Sequence, residues 1–195
     1  MKLTAKQGGL IVRFARGVIE TGEAEVPREL REVFRKKRGV FVTLHTKDGN
    51  LRGCIGYPEP VMPLGDAVVD SAKSAALRDP RFSPVEMSEM KNIVVEVSVL
   101  TKPEIVAVEN PRDYLKEIKI GRDGLIAERG PFRGLLLPQV PVEWGWGVEE
   151  FLSQTCMKAG LSPTALLDRD TKIYRFSAQI FAEEIPCGNV VEKRI

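Results

Sequence analysis

Apolar residues recur at helical spacing over Leu10, Ile11, Phe14, Ala15, Val18 and Ile19, so the chain opens with an amphipathic helix that Thr4 can cap and Thr21-Gly22 ends. Pro27 suits the first turn of a short second helix whose stripe is Leu30, Val33 and Phe34. From Val40 the period changes to two. Val40-Phe41-Val42-Thr43-Leu44-His45 and Leu51-Arg52-Gly53-Cys54-Ile55-Gly56 read as the arms of a hairpin turning at Asp48-Gly49. A two-residue turn there sets His45 opposite Arg52 and Thr43 opposite Cys54. Val40, Val42, Leu44, Leu51 and Ile55 then share an apolar face, with Thr43, His45, Arg52 and Cys54 on the other.

Small residues (Ala67, Ala72, Ala75, Ala76) give the helix expected from Pro63 to Asp79 a face suited to lying close on a sheet, and Pro80 stops it. Ile93–Leu100 is the strongest strand, with Ile93, Val95, Val97 and Val99 on one face and Glu96 on the other. Asn110-Pro111 opens a short helix, and Ile118–Ile120, Gly124–Glu128 and Arg133–Leu137 read as short strands of a small β-rich lobe. Pro138–Glu143 reads as an extended link. Helices follow from Val148 and from Ser162-Pro163, and Thr171–Ile185 is a final strand region. These elements predict an α+β fold: a body with an antiparallel sheet and flanking helices (about 1–110 and 146–195) and a smaller lobe (about 111–145).

Composition changes the picture little. The 195 residues are 43% hydrophobic and 29% charged with a net charge of +2, too balanced to argue for nucleic acid or an anionic membrane. Cys54, Cys156 and Cys187 match no metal-ligand spacing, and an odd, sparse set fits a reducing, cytoplasmic setting rather than a disulfide framework. Neither a signal peptide nor a membrane-spanning stretch is expected, and the residues call for no metal or cofactor.

The candidate chemistry centres on Cys54. In the expected register it lies diagonally across from His45, the chain's only histidine, roughly 7 Å away, with Arg52 adjacent. Gly53 and Gly56 leave the backbone bare for a ligand or for another stretch of chain. In Arg78-Asp79-Pro80-Arg81-Phe82 the arginines could hold a carboxylate or phosphate, or could pair with Asp79 and pin the loop. Glu96 could act as a general base or pair with Arg52 or Arg78. Arg35-Lys36-Lys37-Arg38 reads as a solvated helix end. Trp144 and Trp146 could stack on a planar ligand or close a core.

Several stretches together resemble the AMMECR domain family: Leu51–Gly56, Arg78–Phe82, Glu96–Leu100, Gly134–Val140, and Trp146 through Phe151 to Leu161, spread in order over nearly the whole chain. The resemblance implies an α/β body with a smaller lobe and the Leu51–Gly56 hexapeptide near a cleft between them. It implies Memo-like or radical S-adenosylmethionine proteins as partners, and it groups Arg52, Cys54, Arg78, Asp79, Arg81 and Glu96 in one site. It supplies no activity. Two readings follow. In one, Cys54 is a nucleophile with His45 as its base, Glu96 orienting or balancing charge, and Arg52, Arg78 and Arg81 holding an anionic substrate beside Gly53, Gly56 and Asp79. In the other, the same residues build a non-catalytic module that recognises a protein partner, with nucleic acid a weaker branch.

Overall fold

The structure, a computed structural model, describes residues 2–193. Its chain falls into two compact units, Met1–Leu100 with Gln179–Arg194 and Thr101–Ala178, so the second takes in more than the 111–145 expected for a smaller lobe. The α+β class is as expected: helices and two sheets with antiparallel pairings.

The first unit is a five-stranded sheet with helices on one face. Helix α1 (Ala5–Thr21) starts with a capping box in which the Thr4 hydroxyl accepts from the Gln7 amide while the Gln7 side chain accepts from Thr4 N–H. It ends at Gly22 in the left-handed region (φ 85°). A 3₁₀ turn and one turn of helix, α2 (Arg31–Phe34), follow. The hairpin β1 (Val40–Thr46) and β2 (Leu51–Tyr57) leads to α3 (Leu64–Leu77) and then to β3 (Ile93–Leu100). Strands β8 (Ala178–Glu183) and β9 (Val190–Lys193) complete the sheet in the order β2-β1-β3-β8-β9. Ile11, Val12, Ala15 and Val18 of α1 and Ala67, Val68, Ala72 and Ala75 of α3 bury against Val42, Leu44, Val95, Val97 and Phe181. The small face of α3 allows a very close approach: a β-carbon at Gly53 would lie 2.1 Å from the Ala75 carbonyl oxygen. Gly53 is bare because a neighbouring backbone occupies the space.

The same core holds a charged pair. Arg16 donates to both Glu183 carboxylate oxygens at 2.6 Å and to the carbonyls of Ile93 and Met90, and Glu183 also accepts the Val95 N–H. These bonds satisfy a glutamate side chain that is only 1% exposed.

The second unit is a four-stranded sheet ordered β4-β7-β5-β6, from β4 (Glu104–Ile105), β5 (Gly124–Arg129), β6 (Phe132–Leu136) and β7 (Lys172–Phe176). Its core joins Leu125, Ala127 and Ile173 to Tyr114 of α4 (Tyr114–Glu117) and to Phe151, Leu152 and Cys156 of α6 (Val148–Lys158). Three local expectations change. Ile118–Ile120 runs irregularly into a turn over 120–122 rather than as a strand, and Asp123 fixes it by accepting the Lys119 N–H and binding Arg122. Val140–Glu143 is one turn of helix, α5, rather than an extended link; Pro141 sits in its first turn, where no amide is needed. The final strand region is two strands, β7 and β8, broken at Ser177 and belonging to different sheets.

Candidate functional site

Turn chemistry decides the register around Cys54. The Thr46 carbonyl accepts the Gly49 N–H and Gly49 has φ 86°, so Asp48-Gly49 closes a longer loop between Thr46 and Asn50 rather than a two-residue turn. A bulge between Leu44 and His45 follows, pairing His45 with Leu51 and Leu44 with Gly53 while leaving Thr43 opposite Cys54. The expected pairing of His45 with Arg52 is therefore incorrect. Leu51 is exposed rather than part of the apolar face, and Arg52, the extra residue, runs to the 83–89 segment.

Cys54 occupies the sheet's outer strand, and its backbone N–H and C=O point away from β1. The 78–82 loop takes both. Asp79 accepts the Cys54 N–H at 2.8 Å, and Arg81 donates to the Cys54 carbonyl at 3.1 Å. Asp79 and Arg81 are themselves locked together: the carboxylate accepts from Arg81 Nε (2.9 Å), Nη2 (2.6 Å) and the backbone N–H (3.1 Å). These charge-assisted bonds, those from Arg81 foremost, hold the Asp79 carboxyl well below the usual carboxylate range. The loop thus supplies the donor and acceptor that a further strand would have offered.

The arginines expected to hold an anionic substrate are each engaged by a carboxylate. Arg52 binds Glu89 through Nε and Nη2, both at 3.0 Å, Arg78 binds Asp70 at 2.7 Å, and Arg81 binds Asp79. Phe82 lies within 6.0 Å of the Arg52 guanidinium and 5.5 Å of that of Arg81. Sequence reading missed Glu89 and Asp70, since nothing local ties them to arginines 37 and 8 residues away.

On the sheet face opposite the helices, the cross-strand register gathers a polar row. Thr43 stands between Cys54 on β2 and Glu96 on β3, and His45 and Ser98 flank it along the strands. Thr43 Oγ1 donates to Cys54 Sγ at 3.3 Å. Burial pushes the Cys54 thiol up from its ordinary value, outweighing the Thr43 bond and the Arg81 charge. His45 is pushed down, chiefly by burial, so its ring is neutral at pH 7; Glu96 opposes that shift and Lys193 adds to it. Glu96, 4% exposed, pairs with Lys193 Nζ at 2.7 Å rather than with Arg52 or Arg78. Ser98 Oγ is buried without a hydrogen-bond partner. Gly56 is bare because a β-carbon there would lie 2.2 Å from the Val40 carbonyl oxygen and 2.6 Å from the Phe41 ring.

In the second unit a recess of about 350 Å³ is lined by residues including Lys102, Glu104, Arg122, Asp123 and Arg175. Asp123 binds Arg122, and Glu104 faces Arg175 across the sheet. Cys54, Cys156 and Cys187 are free thiols. Among the described residues, no group of three histidine, cysteine, aspartate or glutamate side chains is placed to hold a metal ion, and no helix is long and apolar enough to cross a membrane.

The expected core-closing role of the tryptophans divides between them. Trp146 packs against the second unit's core, whereas Trp144 is 70% exposed and stacks on Trp146 with ring centroids 5.9 Å apart.

Comparisons with known proteins agree on a family without giving it an activity. The Methanocaldococcus jannaschii protein MJ0810 is 57% identical over 197 residues, covering 99% of this chain and 98% of its own length. The Pyrococcus abyssi protein PYRAB00100 is 51% identical over 203 residues, covering 100% and 98%. The crystal structure of the uncharacterised protein PH0010 from Pyrococcus horikoshii superposes with a TM-score of 0.93 at 49% identity, covering the whole of both chains. The AMMECR1 family model matches residues 12–181, and the chain belongs to that family.

Proposed function

We propose that the chain is a non-catalytic recognition module whose Cys54 strand is a structural anchor. The observation that carries this reading is the use to which the reactive groups are put. Asp79 and Arg81 hold the Cys54 backbone, the thiol is kept protonated by burial, and Arg52, Arg78 and Arg81 each face a carboxylate. A nucleophilic cysteine needs a lowered pKa, whereas the half-buried Cys54 thiol is held above its ordinary value. Its intended base, His45, has no hydrogen bond to Cys54 among the described residues and pairs across the hairpin with Leu51. Memo-like or radical S-adenosylmethionine proteins are the partner classes to try first, and a cytoplasmic setting suits three free thiols.

A second reading, catalysis or ligand processing centred on Cys54, has one observation in its favour. Buried Glu96, neutral His45, protonated Cys54 and the unpartnered Ser98 hydroxyl share one sheet face. Alkylation of the native protein with iodoacetamide, resolved by cysteine over a pH series, separates the two. The recognition reading expects exposed Cys187 to label first and Cys54 slowly, with a pH midpoint above the ordinary thiol value of about 8.5. Fast labelling of Cys54 with a midpoint well below that value overturns it.

A further inference from the structure

The recess in the second unit shares no residue with the Cys54 strand or its arginine loop. It is made by topology. In the order β4-β7-β5-β6, β7 lies between β4 and β5, and the pairings of Glu104 with Arg175 and of Gly124 with Phe176 gather three strand ends at one end of the sheet. Each of these segments brings one cation to the same opening: Lys102 just before β4, Arg175 on β7 and Arg122 just before β5. Buried Phe176 forms part of the wall, its ring occupying the space where Gly124 would carry a β-carbon. At about 350 Å³ the recess has the size of a small-molecule site.

The hydrogen-bonding capacity of this lining is lopsided. Among the described residues, Arg122 bonds Asp123 through Nε (2.7 Å) and Nη2 (2.5 Å), which leaves Nη1. Arg175 reaches the Glu117 carbonyl and carboxylate through Nη1, both at 3.5 Å, which leaves Nε and Nη2. Lys102 Nζ has no hydrogen bond or ion pair among the described residues. Thr101 Oγ1 accepts the Ser177 N–H at 2.9 Å, so its own hydrogen is still to be donated. On the acceptor side, Asp123 is 4% exposed and already taken by Arg122 and the Lys119 N–H. Glu104, exposed and opposite Arg175, is the carboxylate of the lining that stays open. Spare donors therefore converge from three strand ends on one open acceptor.

We propose that this recess binds the phosphate group of a small phosphorylated molecule. Lys102, Arg122 and Arg175 donate to the phosphate oxygens, and Glu104 accepts from a hydroxyl next to the phosphate. A carboxylate offers two oxygens in one plane, whereas a tetrahedral phosphate presents oxygens toward donors arriving from three segments at once. The site stands apart from Cys54, and the proposal goes beyond the recognition reading without resting on it.

The test is a titration of the ¹⁵N-labelled full chain with inorganic phosphate and with glycerol 3-phosphate, at constant ionic strength, followed by amide chemical shifts. We expect saturating shifts centred on Lys102, Arg122 and Ser177 with a Kd of about 5 mM for inorganic phosphate, and severalfold tighter binding of glycerol 3-phosphate. Lys102→Gln and Arg175→Gln should each weaken binding about fivefold, while Lys37→Gln, which removes an exposed charge far along the chain, should leave it unchanged. Glu104→Gln should tighten inorganic phosphate about twofold, since it removes a repelling charge, and should cancel the advantage of glycerol 3-phosphate. Lys102 is exposed, so an unchanged thermal melt of Lys102→Gln verifies that the fold is kept. Shifts that rise linearly without saturating overturn the proposal, as does equal weakening by Lys37→Gln or binding that survives both Lys102→Gln and Arg175→Gln. Acetate binding as tightly as phosphate overturns it too, because the recess is then a carboxylate site. None of these results moves the Cys54 alkylation midpoint, which tests the recognition reading separately.

Discussion

Replacing Asp79 by Asn probes the joint between the hexapeptide strand and the arginine loop with a nearly isosteric change. The carboxylate, 4% exposed, accepts four hydrogen bonds, two at each oxygen: Arg81 N–H and Nε at Oδ1, Cys54 N–H and Arg81 Nη2 at Oδ2. An amide can present an oxygen to only one of these pairs; whichever way it turns, its NH₂ faces two donors. Two hydrogen bonds are lost, and of the two that remain only the one from the Arg81 guanidinium stays charge-assisted, now through its donor alone. At about 1.5–3 kcal/mol for a bond to a charged group, discounted because Arg81 is half exposed, the loss comes to about 2–3 kcal/mol. For a chain of this size that lowers the melting temperature by about 4–10 °C.

Urea unfolding of both proteins from pH 7 to pH 3 is the assay, with amide exchange at Cys54 as the local readout. The folded carboxyl titrates below the unfolded one, so its contribution is complete above the unfolded value of about 3.9 and is lost as the pH falls through that value toward the folded one. The gap between wild type and Asp79→Asn should narrow on acidification. The Cys54 amide, whose acceptor is a side chain rather than a strand, should exchange about tenfold faster in the variant. A gap below about 0.5 kcal/mol at pH 7, or one that does not change with pH, would refute the clamp.

Two other substitutions test how the sheet is held. Glu183→Ala leaves Arg16 buried without its bidentate partner and should cost about 3–5 kcal/mol by the same denaturation assay, far more than removing exposed Glu32 from Arg35. Gly53→Ala places a methyl 2.1 Å from the Ala75 carbonyl, where backbone must move, and should destabilise by at least about 2 kcal/mol; an unperturbed variant would mean α3 is less tightly seated than described.

Most of the first unit's framework was legible as periodicity. Ile93–Leu100 is β3 to the residue, and Thr4 and Gly22 bound α1, because each signal is local and the buried face enforces it. The hairpin shows where local signals stop. Asp-Gly fits a two-residue turn, and it equally fits a longer loop that closes with glycine in the left-handed region. The two differ by a single bulged residue, enough to take Arg52 away from His45 while Thr43 still meets Cys54.

The fate of Arg78-Asp79-Pro80-Arg81 was undecidable from its own residues, since the groups that would bind an anion are the groups that bind each other. Topology breaks the tie. Once β2 is the outer strand, Cys54 has a free N–H and a free C=O on the side away from β1, and each needs a partner. A bare carboxylate could accept the N–H but would leave the carbonyl unpaired, and a bare guanidinium would do the reverse. Asp79 and Arg81 locked together satisfy both at the spacing of one residue, which a substrate carboxylate held by free arginines would not do. The hexapeptide and the arginine loop are thus two halves of one edge, with Asp79 and Arg81 closing the hydrogen bonds that the outer strand leaves open.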